Sequence, residues 1–280
     1  MSPSYYGVCS DLAAIAEVCH AHGALLLVDE AHGGHLYFHD GLPSGALLAG
    51  ADLCVQSMHK VTGALTQSSV LHCKDHGVRS VVFDRITQNL HLVQSTSPSY
   101  LLMTSLDCAR YELALNGTQM MEKALALASY ARERIQKIAG FRCMEGDGLD
   151  RTRLVISACA LGLSGYMLER LLYEKYAVNM ELADDKNVLA IVTYANEQED
   201  LDRLVAACAD LSQSRQHCAG EKTAPANQEY PPFPQPPKQV LTPRRAYISN
   251  TKKIRSQEAA GQVSAQLIAP YPPGIPVIYP

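Results

Sequence analysis

The sequence predicts an α/β fold, and three features of its pattern lead to that class. Within the first 220 residues, short apolar runs alternate with longer amphipathic stretches, which is typical of strands alternating with helices. After Gly140 the elements become shorter, which indicates a second, smaller α+β domain. Twelve of the 15 prolines lie between Pro225 and Pro280 and mark a proline-rich terminal segment. A chain of 280 residues is long enough to bury its own core before that segment begins.

The first predicted elements alternate between helix and strand. Asp11 is suited to cap a helix that ends near Gly23. The apolar run Ala24–Val28 then predicts a buried parallel strand. Two further strands are predicted at Asp52–Gln56 and Ser69–Cys73, the first of them after a segment rich in turn-forming residues.

The later elements follow from the same periodicities. Long helical patterns cover residues 78–93, 99–116 and 118–139. The smaller domain then has the pattern strand, helix, strand, strand, helix, at Arg153–Ala158, Gly165–Tyr176, Val178–Leu182, Val188–Tyr194 and Gln198–Leu211.

Charge and composition exclude several partner classes. Lys and Arg number 24 against 28 Asp and Glu, and this net charge of −4 gives no reason to expect nucleic acid or an anionic membrane as partner. The basic charges of residues 221–280 are spread without a helical stripe, which favours a solvated linker. No apolar run is long enough for a membrane span, and no export or organelle address is visible. The nine cysteines form no Cys-x-x-Cys pair, so we expect a soluble cytoplasmic protein with free thiols.

Unusual polar groups follow two of the predicted strands. The first strand leads into Asp29, and the second leads into a segment that contains Lys60. Ligands of an open parallel sheet bind beyond the carboxyl ends of its strands. A buried carboxylate and a buried lysine at adjacent strand ends suit pyridoxal phosphate: the lysine forms a Schiff base, and the carboxylate keeps the pyridine nitrogen protonated. Ala31, two residues past Asp29, is small enough to leave room for the flat ring.

Three other interpretations of these residues are weaker. The segment from Asp29 to His32 also occurs as a nucleotide-hydrolysis box in some helicases, but the chain has no phosphate-binding loop of the Gly-x-x-x-x-Gly-Lys-Ser/Thr type. His32, His35 and His39 could bind a metal with Asp29, although loop spacing without a cysteine favours polar loop histidines, so we expect no metal. A lone Lys60 would ordinarily be a surface lysine.

Fifteen residues from Val55 to Ser69 resemble the pyridoxal phosphate attachment signature of the bacterial-type ornithine/lysine/arginine decarboxylases. Six further segments resemble that family in the family's order: Tyr5–Val8, Val28–Gly33, Thr96–Tyr100, Gly162–Glu169, Glu181–Asp184 and Pro270–Pro276. The resemblance therefore covers the chain from Met1 to Pro280. It implies the aspartate aminotransferase-like architecture known as fold type I.

The resemblance assigns roles to residues of the first half. Lys60 is the expected Schiff-base lysine, Asp29 the partner of the pyridine nitrogen, and Ala31 the residue packed on the ring. Ser57 is expected to hydrogen-bond the cofactor phosphate, and His59 to lie near that phosphate or the substrate carboxylate.

Two more residues complete the expected site. His32, in the same segment as Asp29, is counted among the cofactor-binding residues. Thr96 resembles the residue that reaches the phosphate of the neighbouring subunit's cofactor, which implies an obligate homodimer. The expected reaction is decarboxylation of arginine, lysine or ornithine to the corresponding amine.

The chain also departs from the family pattern. Family members are considerably longer at the N-terminus and continue past the last proline, so we expect a fragment that lacks the phosphate-cradling loop. Its expected parts are the C-terminal half of the cofactor-binding domain (1–117), a small α/β domain (118–212) and a proline-rich C-terminal segment (213–280). Another fold type I enzyme, an aminotransferase or lyase, and an inactive dimerising fragment are the alternatives.

Overall fold

The computed structural model describes residues 1–74, 79–216 and 239–269. The chain divides into two compact units, Met1–Ala224 and Pro225–Pro280. In the second unit the described residues form one short helix, α7 (Pro243–Ile248), and a 3₁₀ turn at Ser256–Glu258. The family-like segment Pro270–Pro276 lies outside the described residues.

The first unit begins with a helix and a three-stranded sheet. Helix α1 (Leu12–Ala21) starts at the predicted cap, where Asp11 Oδ1 accepts a hydrogen bond of 3.1 Å from the Ala14 amide. Strands β1 (Leu27–Asp29), β2 (Leu53–Ser57) and β3 (Ser69–Cys73) lie side by side in that order. Strand β1 is parallel to β2, whereas β3 is antiparallel to it.

The strand predicted at Ala24–Val28 is shorter and less buried than expected. Strand β1 starts only at Leu27, and Leu25 and Leu27 are 49% and 66% exposed. The apolar run cannot distinguish a strand covered on both faces from one covered on a single face, because that depends on the elements packed against it.

One short helix lies within the first sheet, and two longer helices connect the two sheets. A one-turn helix, α2 (Met58–Val61), follows β2 directly, and α3 (Arg79–Val93) occupies the predicted stretch. The two helices predicted at 99–116 and 118–139 are one helix, α4 (Tyr100–Gln136), so the predicted domain boundary at 117–118 falls inside it. Gly117 does not break the helix. A Cβ atom there would lie 2.6 Å from Phe38 Cδ1, so glycine permits close packing at this point.

A four-stranded antiparallel sheet forms the second half of the unit. Its strands are β4 (Arg142–Cys143), β5 (Arg153–Ser157), β6 (Leu182–Ala183) and β7 (Asn187–Ile191), in the order β4-β5-β7-β6. Strand β4 was not predicted, because two residues carry no periodicity. The strand predicted at Val178–Leu182 shares only Leu182 with the observed β6.

Helices α5 (Gly165–Tyr176) and α6 (Gln198–Gln216) pack with α4 on this sheet. The largest buried cluster lies between these helices and the sheet, and it includes Ile135, Ile156, Leu168 and Leu204. No described helix is long and apolar enough to cross a membrane. The division into three parts stays a prediction.

Candidate active site

Two parallel strands bring the predicted catalytic residues to one edge of the first sheet. Asp29, the last residue of β1, is paired in register with Val55 of β2. Strand β2 ends two residues later at Ser57, and helix α2 then carries Lys60. Parallel strands end on the same side of a sheet, so Asp29 and Lys60 are neighbours although 31 positions separate their numbers.

Lys60 contacts a histidine through its amine. Its Nζ lies 2.9 Å from Nε2 of His32. Lys60 and Asp29 are exposed rather than buried as predicted, because both lie at the open edge of the sheet. Partial burial of the amine and the nearby positive charge of Arg153 lower the pKa of Lys60, while the carboxylates of Asp29 and Glu181 act in the opposite direction. The balance makes the amine easier to deprotonate than that of an ordinary lysine, which a reactive amine requires.

His32 is buried and neutral at pH 7. Burial and the positive charges of Lys60 and Arg153 lower the pKa of His32 to about 4. Its ring packs against Tyr5, with the two ring centroids 4.5 Å apart. Because the imidazole is neutral, its Nε2 can accept a hydrogen bond from the Lys60 ammonium. Among the described residues its Nδ1 has no hydrogen-bond partner.

The other predicted cofactor residues lie around this pair, with one exception. Asp29 is exposed, and its Oδ1 accepts a hydrogen bond of 3.0 Å from the amide of Ala31. His59 is anchored through Nδ1, which lies 2.9 Å from the Ser68 carbonyl oxygen. Ser57 is half-buried and its hydroxyl does not cap α2.

Thr96 is the exception. It is exposed on the segment between α3 and α4, and in the described part of the chain it makes no hydrogen bond to the other predicted site residues. The structure therefore brings Asp29, His32 and Lys60 together but does not bring Thr96 to them.

Glu30, the neighbour of Asp29, points away from the site into the protein. It has no exposed surface, and its carboxylate accepts hydrogen bonds from the Ala46 amide at 2.6 Å, Gln56 Nε2 at 2.7 Å and the Tyr37 hydroxyl at 2.8 Å. Successive strand residues face opposite sides, which places these adjacent carboxylates in different environments. Glu30 is thus part of the hydrogen-bonded interior.

The histidines that could have formed a metal site have separate partners. His35 Nε2 lies 3.0 Å from Asp150 Oδ2, and His39 Nε2 lies 2.6 Å from Glu122 Oε2. Within the described ranges, no group of three His, Cys, Asp or Glu residues is arranged to hold a metal ion.

Two residues of the site were not predicted. Glu181, just before β6, is close enough for its carboxylate to raise the pKa of Lys60. The hydroxyl of Tyr5 donates a hydrogen bond of 2.6 Å to Glu181 Oε1. Both residues lie in segments that resemble the decarboxylase family, and that resemblance was the only sequence signal for them.

Comparisons with known proteins identify the family. Residues 1–159 match the major domain of the Orn/Lys/Arg decarboxylases, and residues 226–280 match the C-terminal domain of the same family. The chain belongs to the Orn/Lys/Arg decarboxylase family. The resemblance predicted from its motifs is therefore confirmed.

Individual members of the family show how much of a relative this chain spans. It is 40% identical to the arginine decarboxylase of Bacillus subtilis, matching 100% of this chain and 57% of the relative. It is 36% identical to the arginine decarboxylase of Halalkalibacterium halodurans, again over 57% of that protein. The chain thus spans a little over half the length of these relatives.

Solved structures confirm the fold class. The constitutive lysine decarboxylase of E. coli matches 99% of this chain and 50% of its own, with a TM-score of 0.74 at 18% identity. The alanine–glyoxylate aminotransferase of Nostoc matches 73% of this chain and 58% of its own, with a TM-score of 0.54 at 20% identity. The α/β fold is therefore the one predicted, shared by decarboxylases and aminotransferases.

The residues present in this family member fit pyridoxal phosphate. Lys60 offers an amine with a lowered pKa to an aldehyde, and the Asp29 carboxylate is near enough to influence that amine. His32 Nδ1 and Ser68 Oγ are buried polar atoms without a hydrogen-bond partner among the described residues. Buried polar atoms without a partner are rare in native proteins unless a ligand or a water molecule forms a hydrogen bond with them.

Proposed function

We propose that the protein to which this chain belongs decarboxylates a basic amino acid with pyridoxal phosphate as cofactor. The observation that carries the proposal is the 2.9 Å contact between Lys60 and neutral His32 at the strand end that also holds Asp29. The names of its arginine decarboxylase relatives support the same reaction.

Lys60 and Asp29 have the central roles in this proposal. When bound, the cofactor withdraws the electron pair that remains at the substrate Cα after carbon dioxide leaves. Lys60 Nζ would attach the cofactor and, once released, would be available to accept or donate a proton. Asp29 would hold a proton at the ring nitrogen through a charge-assisted hydrogen bond, and the Ala31 amide orients its carboxylate.

His32 and its neighbours have supporting roles. The neutral imidazole of His32 accepts a hydrogen bond from Lys60, and its ring packs against that of Tyr5. Ser57 and His59 are proposed to bind the cofactor phosphate. Ala31 leaves space for the ring.

Glu181 supports a basic substrate. Its carboxylate faces the Lys60 region, is exposed, and is oriented by the hydrogen bond from Tyr5. A guanidinium or ammonium group at the far end of a substrate would find its opposite charge there. The proposal therefore extends to arginine, lysine or ornithine as the substrate class.

A homodimer is part of the proposal. The segment between α3 and α4, which includes Thr96, is flanked by large apolar side chains more than 75% exposed: Leu92, Val93, Tyr100 and Leu101. Apolar side chains grouped in this way are typical of a surface that another protein covers. A second copy placed on this surface would give Thr96 a route to the neighbouring cofactor.

The test joins this chain to the part of the Bacillus subtilis arginine decarboxylase that lies outside the matched region. The joined protein is supplied with pyridoxal phosphate and with arginine, lysine or ornithine, and the products are identified by mass spectrometry. We expect carbon dioxide and the corresponding amine. Lys60→Ala should abolish the product and the covalent cofactor adduct trapped by borohydride, whereas Lys74→Ala, which changes an exposed lysine, should retain both.

Other outcomes would contradict the proposal. Formation of a 2-oxo acid from the substrate would indicate an aminotransferase of the same fold. Trapping of the cofactor on Lys74 or Lys123 would place the site elsewhere. A joined protein that binds the cofactor but converts none of the three amino acids would rule out the proposed reaction class.

A further inference from the structure

Arg153 is a charged side chain without exposed surface. It is the first residue of β5 and has the largest of the fully buried side chains in the described part of the protein. A buried guanidinium requires charged or hydrogen-bonding partners. Its Nε lies 3.3 Å from Asp150 Oδ2, and its Nη2 donates a hydrogen bond of 3.2 Å to the backbone oxygen of His32. Arg153 thus joins the second sheet to the turn that follows β1.

Asp150 fixes the guanidinium from the other side. Its Oδ1 accepts hydrogen bonds from Thr152, and its Oδ2 lies 3.0 Å from His35 Nε2. Although burial acts to raise it, the pKa of Asp150 is held well below its ordinary value by His35 and Arg153. The carboxylate therefore stays ionised, and the same short segment holds the turn at both His32 and His35.

Gly7 closes the space above the Arg153 side chain. Its φ of +88° is a conformation that favours glycine, and a Cβ atom there would lie 2.6 Å from Arg153 Cγ. The stem of Arg153 is therefore packed against backbone. Both the stem and the guanidinium of Arg153 are therefore in contact with neighbouring groups.

We propose that Arg153 is a positioning residue for the reactive lysine: by holding the His32 carbonyl it keeps the His32 imidazole against Lys60 Nζ. The contact at issue is 2.9 Å long, and His32 has no other hydrogen bond from its ring to a described residue. The inference rests on the proposed function only in treating Lys60 as the reactive amine. Arg153 itself is not proposed to touch substrate or cofactor.

The charge of Arg153 gives the proposal a measurable consequence. The groups that face Lys60 are Asp29 at the end of β1, His32 in the following turn, Glu181 before β6, and Arg153. Arg153 lowers the pKa of Lys60 and the two carboxylates raise it. Loss of Arg153 therefore has two opposite effects on Lys60. Removal of its positive charge raises the pKa of Lys60, whereas release of His32 takes a hydrogen-bond acceptor from the ammonium and lowers that pKa.

The experiment measures how fast Lys60 is acetylated by limiting acetic anhydride as a function of pH. The chain is carried on a solubility-enhancing fusion partner without cofactor or substrate, and each lysine is quantified by peptide mass spectrometry. For Arg153→Lys, which keeps the charge but not the forked geometry that holds His32, we expect Lys60 acetylation at pH 8 to rise about threefold, which corresponds to a pKa fall of about half a unit. Arg153→Met should lie between the wild type and Arg153→Lys, because the lost positive charge raises the pKa of Lys60 and offsets part of that change.

Arg151→Met is the matched control. Arg151 is two residues away and exposed, so its replacement should leave the Lys60 profile unchanged. Acetylation of exposed Lys137 and the thermal melting curve report on the fold of each variant. A merely structural role would shift the melting curve without moving the Lys60 profile.

Two results would overturn the proposal. One is an unchanged Lys60 profile in a folded Arg153→Lys or, if that variant does not fold, slower Lys60 acetylation in Arg153→Met than in the wild type, which is the effect of the lost charge alone. The other is failure of both variants to fold, since that would assign Arg153 to the fold as a whole. Neither result depends on catalysis, so neither would count for or against the decarboxylase proposal.

Discussion

One short contact couples the protonation states of Lys60 and His32. Two cationic groups at 2.9 Å would repel each other, so the pair is stable only while one of them is neutral. The low pKa of His32 makes it the neutral member at pH 7. The same contact therefore keeps the amine oriented and couples its behaviour to the state of a buried histidine.

That coupling predicts acid sensitivity with a defined sign. The pKa of His32 is about 4 in the folded protein against 6.5 for the ordinary group, so the unfolded chain binds more protons between these values. Stability is then lost as the pH falls from 6.5 to 4 and is fully present above 6.5. We expect this histidine to account for about 2 kcal/mol of the loss between pH 7 and pH 4.5. Urea unfolding of the wild type and His32→Gln should show the steeper pH dependence in the wild type.

His22→Gln provides the comparison for this prediction, because His22 is exposed. It should keep the slope of the wild type. Equal slopes in the wild type and in His32→Gln would mean that His32 is not the group being protonated.

Replacement of the neighbouring carboxylates Asp29 and Glu30 by amides should have different effects on activity and on stability. We expect Asp29→Asn to leave the fold intact, because Asp29 is exposed and its side chain accepts a hydrogen bond from the Ala31 amide at the oxygen that an asparagine keeps; cofactor should remain bound with most turnover lost. Glu30→Gln disturbs a buried acceptor of three hydrogen bonds and should lower the free energy of unfolding by about 1–3 kcal/mol. Cofactor titration, turnover and urea unfolding of the joined protein separate the two effects. Equal losses of turnover with unchanged stability would show that the site is misplaced.

At the level of elements, the site depends on a parallel strand pair and on the packing of one long helix. Helix α4 contacts the loop that follows β1 through Phe38, which lies over Gly117. The helix also supplies buried residues to the core of the second sheet. It therefore connects the region of Lys60 to the sheet that contains Arg153.

The close approach of Phe38 to Gly117 can be tested by adding one methyl group at residue 117. Glycine to alanine in an exposed helix interior stabilises a helix by about 1 kcal/mol, but here the new Cβ would lie 2.6 Å from Phe38. We expect Gly117→Ala to lower the melting temperature. Asn116→Ala, an exposed neighbour, should leave it near the wild-type value. A rise in melting temperature for Gly117→Ala would show that Phe38 can move aside.

For the whole molecule, the first sheet presents uncovered surface. In the described residues β1 has a neighbour on one edge only, and Leu27, Val55 and Leu71 are all more than a third exposed. Open strand edges and exposed apolar side chains favour pairing with further polypeptide. The chain also spans only 57% of the Bacillus subtilis arginine decarboxylase.

We therefore expect these 280 residues, expressed alone, to bind pyridoxal phosphate weakly and to lack decarboxylase activity. Burial of a phosphate requires several donors at once, and Ser57 and His59 supply only a few. Joining the chain to the remaining part of a relative should restore both properties, as measured by borohydride trapping and product analysis. Stoichiometric trapping on Lys60 in the chain alone would contradict this expectation.

The amino-acid sequence by itself determined the α/β class, the cap at Asp11, and the placement of Asp29 and Lys60 at neighbouring strand ends. The class and the cap depend on local periodicity, which acts over short distances along the chain, and the placement of Asp29 and Lys60 follows from it once the two strands pair in parallel.

Only the tertiary structure decided that Arg153 holds His32, 121 positions away, and that Tyr5 orients Glu181, 176 positions away. It also decided that α4 passes through Gly117 without a break and that β1 is covered on one face alone. Such contacts depend on which surfaces meet when the elements pack, and no local preference of the chain encodes that choice.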